Sequence, residues 1–386
     1  NKGRTVTGTG KLKALALAAL PFALTDSQQQ ALSEIERDMA GGKRMLRLLQ
    51  GDVGAGKTVV ALLAMLGAVE AGLQAALMAP TELLVRQHLA SLEPYAAAAG
   101  VRLACLTGRE KGAGREAILA RLAAGEIDIL VGTHALFSED VIFRDIGLAV
   151  VDEQHRFGVH QRMQLQSKGR DSGASVADVL VMTATPIPRT LALTAYGDMD
   201  VSRITGRPPG RKPVETRVMG AERLDELIVH LRGALGRGER AYWVCPLVEE
   251  SEKIDLAAAQ DRAVMLKGVL GPQVGLVHGK MKASERDAAM AAFKAGQTKL
   301  LVATTVIEVG VDVPEATIMV VEHAERFGLA QLHQLRGRVG RGAGKSSCIL
   351  VWHDPVGQAA RARLKTMRST DDGFVIAEED LRLRGP

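Results

Sequence analysis

The stretch from Arg47 to Thr58, RLLQGDVGAGKT, constrains this chain more than any other. An apolar run ending at Gln50 reads as a buried parallel strand. The pattern G-x-x-x-x-G-K-T follows it, and Val59 to Ala71 then has the composition of a helix. Strand, glycine-rich loop and helix in that order make a phosphate-binding loop. Gly51, Gly54 and Gly56 let the backbone turn its N–H groups inward at conformations other residues reach only with strain. The helix N-terminus adds partial positive charge at the same point. Lys57 can then reach the β- and γ-phosphates of ATP, and the Thr58 hydroxyl can sit on Mg²⁺. The stretch implies a nucleotide site.

The chain has 386 residues, enough for two domains with cores of their own. Its hydrophobic content of 47% and charged content of 24% are those of a globular protein, and no apolar run is long enough to span a bilayer. A net charge of +5 leans mildly towards an anionic partner. Cys105, Cys245 and Cys348 lie far apart with no C-x-x-C pair, so buried reduced thiols and a cytoplasmic setting are expected. Lys11 and Lys13 before Ala14 to Leu24 imitate a signal peptide. Pro21 breaks that run, however, and Thr25-Asp26-Ser27 opens a helix at once. Leu12 to Leu20 reads as a short helix, and a start on Asn1 reads as a fragment of something longer.

The chain then repeats strand and helix. Ala75–Ala79, Val101–Leu106, Ile127–Val131, Leu148–Val151 and Val179–Met182 read as strands, with helices over Leu83–Ala99, Arg115–Ala124 and Arg189–Tyr196. A Pro/Gly-rich charged segment from Gly206 to Pro213 reads as a linker. After it come strands Glu215–Met219, Ala241–Pro246, Val274–His278, Lys299–Ala303, Thr317–Val321 and Ser347–Val351. Helices Glu222–Leu235, Leu256–Leu270 and Ser284–Ala295 lie between them. The expected fold is therefore α/β, two tandem lobes of mostly parallel sheet with helices on both faces. The expected division is residues 1–206, 207–370 and a short tail at 371–386.

Three further constellations carry chemistry. Ala149-Val150-Val151-Asp152-Glu153 is an apolar strand ending in two carboxylates. Asp152 at the strand tip can hold the Mg²⁺ shell, and Glu153 can orient and deprotonate an attacking water. Thr183-Ala184-Thr185-Pro186 follows another strand with small hydroxyl residues suited to a tight joint between two sites. Gln334 to Gly342, QLRGRVGRG, places Arg338 and Arg341 three apart, which on a helix is one face. An arginine fork is what developing phosphoryl charge requires.

Asp152-Glu153-Gln154-His155 is similar to the DEQH box of superfamily 2 helicases. In detail the boxes resemble the RecG family of fork-reversal DNA helicases. The resemblance rests on Leu20-Pro21-Phe22, Leu24-Thr25 and Gln28, on RLLQGDVGAGKT, on DEQHRFGVHQR (Asp152 to Arg162) and on MTATPIPR (Met182 to Arg189). TTVIEVGVDVP (Thr304 to Pro314) and ERFGLAQLHQLRGRVGRG (Glu325 to Gly342) complete it, from about Leu20 to the C-terminus.

The resemblance implies two RecA-like lobes, ATP·Mg²⁺ in a cleft and DNA across both. It gives adenine recognition to Phe22 and Gln28, and the first-lobe chemistry to Lys57, Thr58, Asp152 and Glu153. Gln334, Arg338 and Arg341 would close from the second lobe, with Gly310 and Asp312 near the nucleotide sugar. Gln154, His155, Thr183 and Thr185 would couple the two sites. DNA backbone contacts would come from Pro80-Thr81-Glu82, Thr107-Gly108, Thr133-His134, His278-Gly279 and Thr304-Thr305. Such short groups read phosphates without reading sequence, and an aromatic content of 3% leaves little for base stacking.

The family also implies forked or four-way junction DNA as partner, a role in repair and recombination, a monomer and a nucleoid-associated place in the bacterial cytoplasm. The chain departs from the family in three ways. Nothing in it corresponds to the N-terminal wedge domain, it stops where a C-terminal coupling tail begins, and Arg109 replaces the expected serine after Thr107-Gly108. Three other readings stay open. They are a transcription-repair coupling type of double-strand translocase (where DEEH is expected), an RNA helicase, and an ATP-switched clamp without productive hydrolysis.

Overall fold

The computed structural model describes residues 5–153, 177–184, 199–206, 212–246, 252–304, 313–340, 342 and 344–384. Two compact units divide it, Asn1–Pro209 and Gly210–Pro386.

In the first unit, strands β1 (Leu46–Gly51), β2 (Gln74–Met78), β3 (Leu103–Leu106), β4 (Ile129–Gly132), β5 (Ile146–Glu153), β6 (Asp178–Thr183) and β7 (Asp200–Ile204) form one sheet. Its order is β3-β4-β2-β5-β6-β1-β7, and its ladders are parallel. Helices α1 (Lys11–Ala19), α2 (Asp26–Ala40), α3 (Lys57–Glu70), α4 (Glu82–Ala98) and α5 (Gly112–Ala124) accompany it. The strands are near-continuous Leu, Val, Ile and Ala because both faces are covered. Helix α3 is apolar all round, with Val60 to Leu66 buried, because it packs against α1, α2, α4 and the sheet at once. Helix α2 starts at a capping box: Gln28 N–H donates to Thr25 Oγ1 at 3.3 Å, and Thr25 N–H donates to Gln28 Oε1 at 2.9 Å.

The second unit repeats the plan. Strands β8 (Val214–Gly220), β9 (Arg240–Val244), β10 (Val274–Val277), β11 (Leu300–Ala303), β12 (Ala316–Val321) and β13 (Ser346–Trp352) run parallel in the order β10-β11-β9-β12-β13-β8. Helices α6 (Leu224–Gly236), α7 (Glu252–Leu270), α8 (Ala283–Lys294), α9 (Leu329–Arg336), α10 (Gln358–Ser369) and α11 (Gly373–Arg384) surround it. The two-residue period of β9 sends Trp243 into one core with Leu231, Leu235 and Leu266. Its neighbour Tyr242 enters the other core with Phe293, Met319, Leu335 and Met367. The Tyr242 and Phe293 rings lie 4.9 Å apart at 50°. No helix among the described residues is long and apolar enough to cross a membrane.

Several expectations change. The segment Asp200–Ile204 is an edge strand paired with β1 that hydrophobic pattern missed, since exposed residues interrupt its buried ones. The tail expected at 371–386 is not separate within the described residues. Its helix α11 packs on α9 and α10, and Ile376, 1% exposed, belongs to the same core as Leu364 and Met367. Arg338 lies beyond the helix expected to carry it, because α9 ends at Arg336 with Gly337 as its C-cap. Gly340 then takes a left-handed φ of 79°, where a Cβ would meet Val214 at 2.6 Å. Arg341 itself, like the helix expected at Arg189–Tyr196, lies outside the described residues.

Candidate nucleotide and nucleic-acid site

The phosphate loop joins β1 to α3 with Gly54 at φ 75° and Gly56 at φ 87°, both left-handed. Gly51 faces a second constraint, as a Cβ there would lie 3.2 Å from Cβ of both Ala55 and Ile204. At Gly56 a Cβ would fall 2.2 Å from Gln28 Nε2. That amide donates to the Ala55 carbonyl at 2.8 Å, so α2 holds the loop directly. Gln28 is 2% exposed with both amide ends engaged, whereas Phe22 is 44% exposed in the turn before α2.

Helix α3 opens at Lys57 with no side chain capping it, which leaves the dipole end for a ligand anion. The buried Lys57 ammonium donates to the carbonyls of Gly51 at 2.6 Å and Asp52 at 2.8 Å. A cation folded onto its own loop is a donor set that fits phosphate oxygens.

Asp152 and Glu153 end β5. Asp152 is buried, and His88 Nε2–H of α4 donates to its Oδ2 at 2.7 Å. Among the described residues no hydrogen bond to Oδ1 is recorded. A carboxylate oxygen so placed, on β5 with only β6 between it and the strand of the phosphate loop, fits a Mg²⁺ ion, which keeps several waters and takes one or two carboxylates. Strand register places Gln50, Thr183 and Glu153 in one row across β1, β6 and β5. Gln50 is fully buried, and neither its Oε1 nor its Nε2 has a hydrogen-bond partner among the described residues. The side chains of Glu153, Gln154, His155 and Thr185 lie outside the described residues.

The sheet order separates two groups of strand-end residues. Thr81, Thr107 and Thr133 follow β2, β3 and β4, which are contiguous at one side of the sheet. Gln50, Asp152 and Thr183 end β1, β5 and β6, contiguous at the other. Thr81 caps α4 by accepting from Leu84 N–H. Thr107 is 2% exposed and donates through N–H and Oγ1 to Glu110 Oε2 at 2.5 and 2.7 Å. Those two bonds hold the Glu110 carboxyl below the usual range against the opposing effect of burial. Arg109 lies 2.5 Å from Glu82 of α4, next to Gly108. Thr133 Oγ1 accepts from Ala135 N–H at 3.4 Å.

In the second unit His278-Gly279 follows β10 and Thr304 follows its neighbour β11. His278 Nδ1 and Thr304 Oγ1 are buried without a partner among the described residues. Gln334 and Arg338 are buried, at 4% and 3% exposure. Arg336, between them, donates through Nη1 to the carbonyls of Met367 at 2.9 Å and Thr370 at 2.8 Å. Thr305, Gly310 and Asp312 lie outside the described residues.

Sequence reasoning missed His88, whose only signal was a polar residue on the apolar face Leu84, Val85, Leu92 and Ala96 of α4. It also missed Glu322, His323 and His353, whose ligand atoms lie within 4.8 Å of one another. The Glu322 carboxylate is occupied there by the Arg262 guanidinium and by Trp243 Nε1 at 2.8 Å. The two imidazoles stack at 3.7 Å with their planes 18° apart. Burial pushes the Cys245 and Cys348 thiols up to about 12, so both are inert.

Residues 25–194 match the DEAD/DEAH box helicase family, and residues 221–343 match the helicase conserved C-terminal domain. The ATP-dependent DNA helicase RecG of Escherichia coli (strain K12) is 52% identical over 377 residues, which are 97% of this chain and 54% of that protein. RecG of Bacillus subtilis (strain 168) is 51% identical over 372 residues, 96% and 54% respectively. The chain thus spans about half the length of the curated relatives it matches. A solved structure of RecG bound to a three-way DNA junction superposes with a TM-score of 0.85 at 43% identity, over 100% of this chain and 50% of that one. S. cerevisiae Dbp5 bound to RNA and ADP BeF3 shares the fold, with a TM-score of 0.68 at 18% identity over 94% of this chain and 92% of that one.

Proposed function

The chain belongs to the RecG family of ATP-dependent DNA helicases, and on that premise we propose that it is a motor converting ATP hydrolysis into movement along branched DNA. The observation that carries this reading is the pair of sites on the first unit's sheet. A buried lysine sits at an uncapped helix N-terminus on β1, and a carboxylate with one oxygen unengaged by the described residues ends β5 one strand away across β6.

In this reading Lys57 leaves the loop carbonyls for the β- and γ-phosphates, and Gln28 keeps the loop shaped while Phe22 lies against adenine. Thr58 and Asp152 would hold Mg²⁺, which supplies charge neutralisation at the phosphates. Glu153 orients and deprotonates the attacking water. Arg338 and Arg341, with Gln334, stabilise developing charge, and Gly310 and Asp312 adjoin the sugar. Gln154, His155, Thr183 and Thr185 link hydrolysis to the DNA groove. Thr81, Thr107, Gly108, Thr133, His278, Gly279, Thr304 and Thr305 grip phosphates of a forked or four-way substrate. The protein works as a monomer in the bacterial cytoplasm, at the nucleoid, in repair and recombination.

Steady-state ATPase rates with single-stranded, duplex, three-way and four-way DNA test this. Branched DNA should stimulate most, Lys57→Ala and Glu153→Gln should remove turnover, and Arg338→Ala should spare nucleotide binding while cutting hydrolysis. Unchanged turnover in all three variants would refute the assignment.

A further inference from the structure

The carboxyl edge of the first unit's sheet is divided. Strands β3, β4 and β2 lead to the threonines of the proposed DNA groove, whereas β5, β6 and β1 lead to the nucleotide residues. Helix α4 belongs by connection to the first group, running from β2 to β3. One of its side chains nevertheless reaches the second group. His88 Nε2–H donates to Asp152 Oδ2 at 2.7 Å, with the two residues 9% and 8% exposed.

Packing alone does not call for this pair. The other inward residues of α4, Leu84, Val85, Leu92 and Ala96, are apolar. Burying a histidine and a carboxylate costs solvation that a leucine at the same place avoids. The bond does, however, decide the carboxylate's orientation. It occupies Oδ2 and fixes the plane of the group, while Oδ1 carries no hydrogen bond from the described residues. A carboxylate held by one oxygen presents the other at a set place. An octahedral ion that tolerates little angular error needs that.

We propose that His88 is a positioning residue for the cation site. It aims Asp152 Oδ1 at Mg²⁺ and makes the cation's affinity depend on the placement of α4, the helix that begins at Thr81. The inference rests on the proposed nucleotide reading, in which Asp152 faces the cation. Outer partners of metal ligands typically govern metal affinity by about 10–100-fold. Coupling between sites is reciprocal, so DNA that displaces the start of α4 must alter Mg²⁺ affinity, and Mg²⁺ must alter DNA affinity by the same factor.

The test is a Mg²⁺ titration of fluorescent ADP binding to the full chain, with and without a three-way DNA junction. His88→Ala and His88→Leu should weaken apparent Mg²⁺ affinity by about 10–100-fold. His88→Gln, which can place an N–H donor near the same point, should restore most of it. The shift in Mg²⁺ affinity caused by the junction should disappear in His88→Leu and persist in His88→Gln. A merely structural histidine predicts something else: lower thermal stability in all three variants without a change in Mg²⁺ dependence. Asp152→Ala separates the two levels of the claim. If it leaves Mg²⁺ dependence unchanged, the nucleotide reading itself falls. If it abolishes that dependence while both His88→Ala and His88→Leu match the parent, only the role given to His88 is overturned.

Discussion

Gln28 joins two elements that sequence alone leaves independent: its Nε2 donates to the Ala55 carbonyl at 2.8 Å, while its Oε1 closes the capping box of α2 at Thr25 N–H. The two ends of one amide can be separated by substitution. Gln28→Glu keeps the acceptor that the capping box needs and removes the donor to the phosphate loop. Because the new carboxylate is buried against the Ala55 carbonyl, the thermal midpoint should fall, and ADP affinity should fall by about tenfold or more, the worth of at least one buried hydrogen bond. Equal ADP affinity by titration calorimetry would show that the loop keeps its shape without α2.

Arg336 pins the turn between α10 and α11. Its Nη1 serves the carbonyls of Met367 and Thr370, and its Nη2 lies 2.9 Å from His333 Nδ1. Arg336→Ala leaves these buried acceptors unpaired, at a cost of about 3 kcal/mol. Arg336→Lys recovers little of it, because an ammonium cannot span the same fork. Both tryptophans, Trp243 and Trp352, lie in the second unit. Urea unfolding followed by their fluorescence therefore reports this unit, and an unmoved midpoint in Arg336→Ala would contradict the bracing role.

Asp178 is buried at the start of β6, where its Oδ1 accepts from Met45 N–H at 2.7 Å and its Oδ2 has no partner among the described residues. Burial pushes this carboxyl up to about 7, with the Met45 N–H and the Arg44 guanidinium opposing the rise. The folded state therefore keeps a proton that the unfolded chain releases near the ordinary carboxyl value of 3.8. Stability from this group is full below that value and is lost as pH rises through about 7. Asp178→Asn keeps the acceptor and removes the charge. It should raise the thermal midpoint at pH 8 by several degrees and leave it unchanged at pH 4. A gain of equal size at both pH values would exclude ionisation as the cause.

Arg109 stands where the family resemblance leads one to expect serine, and its Nε is 2.5 Å from Glu82 beside the proposed DNA groove. Its side chain is 44% exposed, so the guanidinium can exchange this carboxylate for a phosphate at little cost. If it does so, Arg109→Ser lowers the slope of log affinity against log salt by about one. Fluorescence anisotropy with a three-way junction between low and moderate salt measures it. Parallel slopes would mean that Arg109 stays with Glu82 when DNA is bound.

The phosphate loop, the carboxylates ending β5 and the parallel sheets were legible because they are local. G-x-x-x-x-G-K-T is a statement about φ angles and reach over a few residues. Runs such as Leu148 to Val151 can only be strands buried on both faces. The strand Asp200–Ile204 was harder to read because the exposed residues that interrupt its buried ones mimic a polar loop. The placement of Arg338 was not legible because three-residue spacing says nothing about whether a helix continues, and Gly337 ends α9 before it.

The order of residues along the chain by itself determined which groups carry charge, which segments must be buried, and which loop can turn its amides towards a phosphate. Those are consequences of side-chain chemistry and of backbone freedom at a handful of glycines. Only the tertiary structure decided that β5 lies beside β2 and β6, and that a histidine on α4 meets Asp152 sixty-four positions away in the chain. It likewise decided that α11 completes the second core. Such contacts depend on how whole elements pack. Sequence spacing carries no record of that, because many different spacings can bring two buried groups to the same few ångströms.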